Sequence, residues 1–80
     1  MSRARDVVDV VARALAARPD DVQVMEVERR GQTVIELSMA PGELGRVIGR
    51  QGRTAAALRT LAAAAGEIDG RKVAVDFQDE

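Results

Sequence analysis

The 80-residue sequence predicts an α+β domain in the order α-β-β-α-α-β, a three-stranded mixed sheet with three helices packed on one face. Apolar residues recur at helical spacing in three stretches and alternate at strand spacing in others. The alternating stretches are apolar on one side only, so one sheet face needs a cover and the other meets water or a partner. The length suits a single domain over 1–80, with a thin core.

Residues 4–17 read as an amphipathic helix, with Val7, Val8, Val11, Ala14 and Leu15 on one side and Asp6, Asp9 and Arg13 on the other. Pro19, followed by Asp20 and Asp21, ends it. Residues 22–29 read as a strand, although the alternation slips at Val24-Met25. Arg30-Gly31 makes a tight turn into residues 33–39, where Thr33, Ile35, Leu37 and Met39 face one way and Val34, Glu36 and Ser38 the other. Pro41 suits the first turn of a short helix whose apolar face is Leu44, Val47 and Ile48 and whose stop is Gly49. Residues 53–65 predict a third helix with Leu58, Leu61, Ala62 and Ala65 inward; its alanines favour helix and permit a close neighbour. Gly66 and Gly70 bracket a loop, and 72–77 form the last strand, with Val73, Val75 and Phe77 inward. A helix pair separates the second and third strands, so these run parallel if adjacent.

Composition narrows the function. Cys and His are absent, which removes disulfides and thiolate or imidazole zinc sites. Ser2 and Ser38 have no His base, and the carboxylates form no acid/base pair, so neither an enzyme nor a cofactor or metal is expected. The N-terminus lacks the apolar stretch of a signal peptide, and no run reaches membrane-spanning length; a cytoplasmic protein is expected. Net charge is -1, but unevenly distributed. Between Leu44 and Gly66 stand Arg46, Arg50, Arg53 and Arg59 with no acid, while the other eight bases share the chain with all thirteen acids. Two readings fit this distribution: a place that attracts a polyanion on a body that repels it, or an ordinary solvated helix face rich in arginine.

The basic segment contains the most informative stretch, Leu44-Gly45-Arg46-Val47-Ile48-Gly49-Arg50-Gln51-Gly52-Arg53-Thr54. Two helices are joined by a bend between glycines, which let a backbone approach a ligand without an intervening Cβ. The second helix presents unpaired N–H groups and the positive end of its dipole, and Arg50 and Arg53 add charge. Val47-Ile48-Gly49-Arg50-Gln51-Gly52 is similar to the I-G-x-x-G signature of KH domains, whose loop clamps about four nucleotides of backbone. The helix and strand order around it resembles the type II KH arrangement. In size, start and finish the chain resembles a bacterial family of stand-alone KH proteins, the KhpA proteins.

That resemblance implies single-stranded RNA in a groove between the two helices, the last strand and a variable loop, in a bacterial RNA chaperone or post-transcriptional regulator. It puts Gly49, Arg50, Gln51 and Gly52 on the phosphates and Arg46, Arg53 and Arg71 or Lys72 at the flanks. Val47, Ile48, Ala55 and Leu58 become the apolar floor. A homodimer, or a heterodimer with a larger KH-containing protein, is also implied. Gly45 reads as a small residue for helix packing, and Arg13 and Arg59 as ordinary surface charge. Two rival functions stand beside this one. A helix-turn-helix DNA reader would use 53–65 as its recognition helix, yet Arg53, Thr54 and Arg59 are a poor set for base edges. A protein-interaction module would dimerise through the sheet or the Ala-rich helix.

Overall fold

In a computed structural model, residues 2–78 are described. Helix α1 spans Arg3–Leu15, strands β1 and β2 span Gln23–Arg29 and Gln32–Ser38, helices α2 and α3 span Leu44–Ile48 and Arg53–Ile68, and strand β3 spans Val73–Gln78. The sheet order is β1-β2-β3; β1 pairs antiparallel with β2, and β3 runs parallel to it, as the crossover through α2 and α3 requires.

The β1–β2 hairpin turns through Arg30 and Gly31, both at positive φ (53° and 77°), the backbone of a two-residue type I′ turn. Register then places Val24, Leu37 and Phe77 in one row across the sheet and Glu26, Ile35 and Val75 in the next. This side meets the helices. Ile35 and Leu37 pack with Ala4, Val8 and Ala12 of α1, Val47 of α2, and Leu58 and Ala62 of α3 in one core. On the opposite side Val27, Val34 and Ala74 form an apolar row, and Val34 is buried because it is the middle member.

Several details differ from the sequence reading. Helix α1 starts earlier than 4–17 because Ser2 caps it, its hydroxyl accepting the Arg5 N–H at 3.1 Å, and it ends earlier because Ala16 is already extended. Its innermost face is Ala4, Val8 and Ala12, while Ala14 and Leu15 are exposed. Leu61 likewise turns outward from α3, and Ala55, Leu58, Ala62 and Ala65 turn in. Small residues face the core here because α1 and α3 lie against each other, and alanine lets their backbones come close. Gly66 serves the same end against β3. A Cβ there would overlap Val73 Cγ2 and lie 3.1 Å from the Arg71 carbonyl.

Pro41 is not in the first turn of α2. It sits at the second position of a β-turn closed by the Glu43 N–H donating to the Ala40 carbonyl at 3.1 Å, with Gly42 next at φ 83°. That is a type II turn, which shares proline's φ with a helix start. Arg13 is more than surface charge: it binds Asp9 and donates to the carbonyls of Pro19 (2.6 Å) and Val22 (3.1 Å), fastening the end of α1 to the next turn. Glu43 is buried and accepts the N–H groups of Ala17 (2.6 Å) and Arg18 (3.2 Å), fixing α2 to the same connection.

Candidate nucleic-acid interface

Core packing of Val47 on one side and Ala55 and Leu58 on the other holds α2 and α3 at a fixed distance across Gly49–Gly52. Gly49 closes α2, its N–H donating to the Gly45 carbonyl at 2.8 Å, and takes φ 74°, ψ 176°, a region essentially reserved for glycine. Gln51 (58°, 22°) and Gly52 (70°, 16°) are both left-handed, and the chain then enters α3. Gly52 is the cap residue of α3 and no side chain caps it, which leaves first-turn N–H groups available to a ligand.

Around this bend the residues expected at the site divide. Gly49, Gln51 and Gly52 lie in the loop with the Arg50 backbone; the Arg50 side chain falls outside the described parts of the structure. Arg46 and Arg53 are exposed on either side, and the Arg53 guanidinium donates to Gln51 Oε1 at 3.1 Å. Ile48 is half-buried. Val47 is fully buried, so it supports the bend from beneath and has no surface to offer a ligand. The same correction applies to Leu58 and, nearly, to Ala55, at 1% and 4% exposure. Of the flanking bases, Arg71 is engaged, 3.3 Å from Glu26 and 3.8 Å from Glu28. Lys72 is exposed and has no carboxylate partner among the described residues.

An open groove lies elsewhere on α3. A hollow of about 390 Å³ opens between α3 and β3, lined by Arg59, Thr60, Ala63, Val73, Ala74 and Val75. It shares Ala63 and Val73 with a neighbouring hollow of about 550 Å³ that reaches Lys72 and the 69–72 loop. Strand β3 is an edge strand. The Thr33 N–H donates to the Lys72 carbonyl, which sets the parity of the parallel ladder. Val73, Val75 and Phe77 therefore turn their backbone groups to the free edge, beside the hollow.

Reasoning from sequence missed Arg59. Its guanidinium lies over the Phe77 ring, 4.8 Å from the centroid, at the side of this groove. The signal was present only as the chain's single aromatic residue and an arginine on a helix face; nothing in their spacing ties position 59 to position 77.

Among the described residues no three His, Cys, Asp or Glu side chains are grouped to hold a metal, and no helix is long and apolar enough to cross a membrane.

An α-β-β-α-α-β chain with a G-x-x-G bend between its second and third helices, beside a free parallel edge strand, is a KH domain of the type II arrangement. The profile described as the KH domain of KhpA/KhpB matches residues 5–77, and the chain belongs to that family. Among its relatives is the RNA-binding protein KhpA of Aquifex aeolicus, 45% identical over 77 residues, covering 96% of this chain and 98% of that one. The RNA-binding protein KhpA of Mycobacterium leprae is 49% identical over 75 residues, covering 92% of this chain and 89% of that one. A crystal structure of Aquifex aeolicus Era superposes with a TM-score of 0.62 at 22% identity, over 95% of this chain and 29% of Era, a likeness of fold.

Proposed function

We propose that this protein binds single-stranded RNA, with the phosphate backbone on the Gly49–Gly52 loop and the bases along the groove between α3 and β3. The loop geometry carries the reading: three left-handed or glycine-only backbone positions in four residues leave an uncapped helix start and an exposed Arg53 at one place. Relatives named as RNA-binding proteins support it. The free N–H and C=O groups of β3 suit the edges of unpaired bases, and the aliphatic floor suits their faces. Duplex DNA fits less well, since α3 offers Arg53, Thr54, Arg59 and Thr60 but no Asn, Gln or Lys for base edges. In the cell this activity belongs to a cytoplasmic RNA chaperone or post-transcriptional regulator.

A second surface supports self-association. Ala57, Leu61, Ala64 and Ile68 form an exposed apolar stripe along α3, with Leu61 and Ile68 at 52% and 70% exposure. A second copy of the chain, or a larger KH-containing partner, covers that stripe and leaves the loop free.

The double substitution Arg50→Asp and Gln51→Asp tests the site. It shifts the loop charge by -3 and retains both glycines. Aspartate tolerates the left-handed backbone at position 51 better than most residues, so the fold persists. For the wild type, contact with about three to four phosphates gives a log–log salt slope near -2 to -3. The double variant should lose measurable affinity for single-stranded RNA while its circular dichroism and melting temperature stay close to the wild type. A folded variant with unchanged affinity, or duplex DNA bound as tightly as single-stranded RNA, contradicts the proposal.

A further inference from the structure

We infer that Arg59, held over Phe77, selects a base with two adjacent acceptors, guanine or cytosine, at one position of the bound strand; this rests on the RNA-binding reading above and deepens it. The Arg59 guanidinium lies 4.8 Å from the ring centroid and its side chain lines the α3–β3 hollow. A guanidinium over a ring is attracted by its charge and still has five N–H donors, more than the ring can engage. Among the described residues no carboxylate pairs with it, so those donors remain open to the groove. The fork has donors only. Guanine offers two acceptors side by side, O6 and N7, which the fork engages together; adenine opposes one of the donors with its own amino group. Cytosine offers a matching pair, O2 and N3, on the Watson–Crick edge that an unpaired strand leaves open, whereas on uracil a donor N–H separates the two carbonyls.

Position along the groove agrees. Arg59 stands six residues into α3 from Arg53, about 9 Å along the axis at 1.5 Å per residue. A strand whose phosphates sit on the Gly49–Gly52 loop therefore brings a neighbouring base, rather than the clamped phosphate, to Arg59. The ring holds the guanidinium beside the groove, which turns a mobile surface charge into a localised set of donors. Lysine would keep the charge and lose both the fork and the stacking plane.

Fluorescence anisotropy with short oligouridine strands carrying one guanine, one cytosine or one adenine, moved through each position, tests this. The wild type should prefer guanine or cytosine over adenine at one position by about tenfold, the discrimination of a bidentate contact. Arg59→Lys should abolish the preference, since it keeps a charge and loses the fork. Phe77→Leu should weaken the preference by about threefold by releasing the guanidinium, with melting curves confirming the fold. Equal binding of all strands by the wild type, or a preference that survives in Arg59→Lys, overturns the assignment and leaves RNA binding intact. A wild type that binds none of the strands overturns both readings.

Discussion

The two glycines that bracket the loop should differ in what they do, and the difference can be measured. At Gly49 a Cβ would lie 2.9 Å from Thr54 Cβ, closer still to Thr54 Oγ1, and 3.3 Å from the Thr54 nitrogen. The backbone at φ 74°, ψ 176° adds strain of about 1–3 kcal/mol for any other residue. Overlap with a side chain at the start of α3 adds a similar amount. Gly49→Ala should therefore destabilise the domain by about 3 kcal/mol. At Gly52 a Cβ would meet nothing within 4 Å, and φ 70°, ψ 16° is left-handed helical space, worth about 1 kcal/mol for alanine. At about 4–8 °C per kcal/mol for a domain of this size, Gly52→Ala should melt only several degrees lower and Gly49→Ala some three times further. RNA titration should show the opposite order. In folded protein Gly52→Ala places its methyl group in the open space where a phosphate approaches, so its affinity should fall more than its stability. Thr54→Ala should recover part of the Gly49→Ala loss, but only part, since the backbone strain remains. If Gly49→Ala proves no more costly than Gly52→Ala, the loop does not have this geometry.

Three further outcomes follow from contacts outside the loop. Glu43→Ala removes the acceptor of two backbone N–H groups and should cost about 2–3 kcal/mol in urea denaturation, with Glu43→Gln, which keeps one amide oxygen, falling between. Asp69 has its carboxyl held below the usual carboxylate range, first by the Arg3 backbone N–H and then by the Arg3 guanidinium. Its contribution is full above the unfolded value of about 3.9 and fades as pH falls through the lower folded value. The melting difference between wild type and Asp69→Asn should therefore persist at neutral pH and vanish in stronger acid. Leu61→Asp should shift a self-associating species to 8.6 kDa in sedimentation without weakening RNA binding per chain; a wild type monomeric at all concentrations would refute the homodimer.

Element order and loop position were legible because both rest on strong local signals. Alternation in 33–39 needs no tertiary knowledge, and a bend between glycines flanked by apolar helices is marked by the residues of the bend itself. What escaped depended on partners far away in sequence. Alanine carries little hydrophobic signal, so Ala4 and Ala12 were passed over for Ala14 and Leu15, although close helix packing favours the smaller pair. Leu61 looked like core by its chemistry, and only the rotation of α3 set by Leu58 and Ala62 turned it outward. Pro41 misled because proline's φ serves a type II turn and a helix start equally. Val47 adjoins the loop in sequence and lies buried beneath it in space, a distinction that spacing alone does not make.

The net charge of -1 is a poor guide to this chain because much of that charge cancels locally. Arg3, Arg13, Arg29 and Arg71 are each within 4.0 Å of a carboxylate, on Asp69, Asp9, Glu36, and Glu26 and Glu28 respectively. By contrast Arg46, Arg53 and Arg59, spread along α2 and α3 beside the loop and groove, have no such partner among the described residues. Sequence placed these arginines in an acid-free segment; the fold keeps the acids of distant segments from reaching them. Exposed charges are screened over about 8 Å at physiological salt, while the molecule measures 33 by 22 by 20 Å. An incoming phosphate at the loop therefore responds chiefly to the unpaired arginines near it, and a slightly acidic protein presents a basic site.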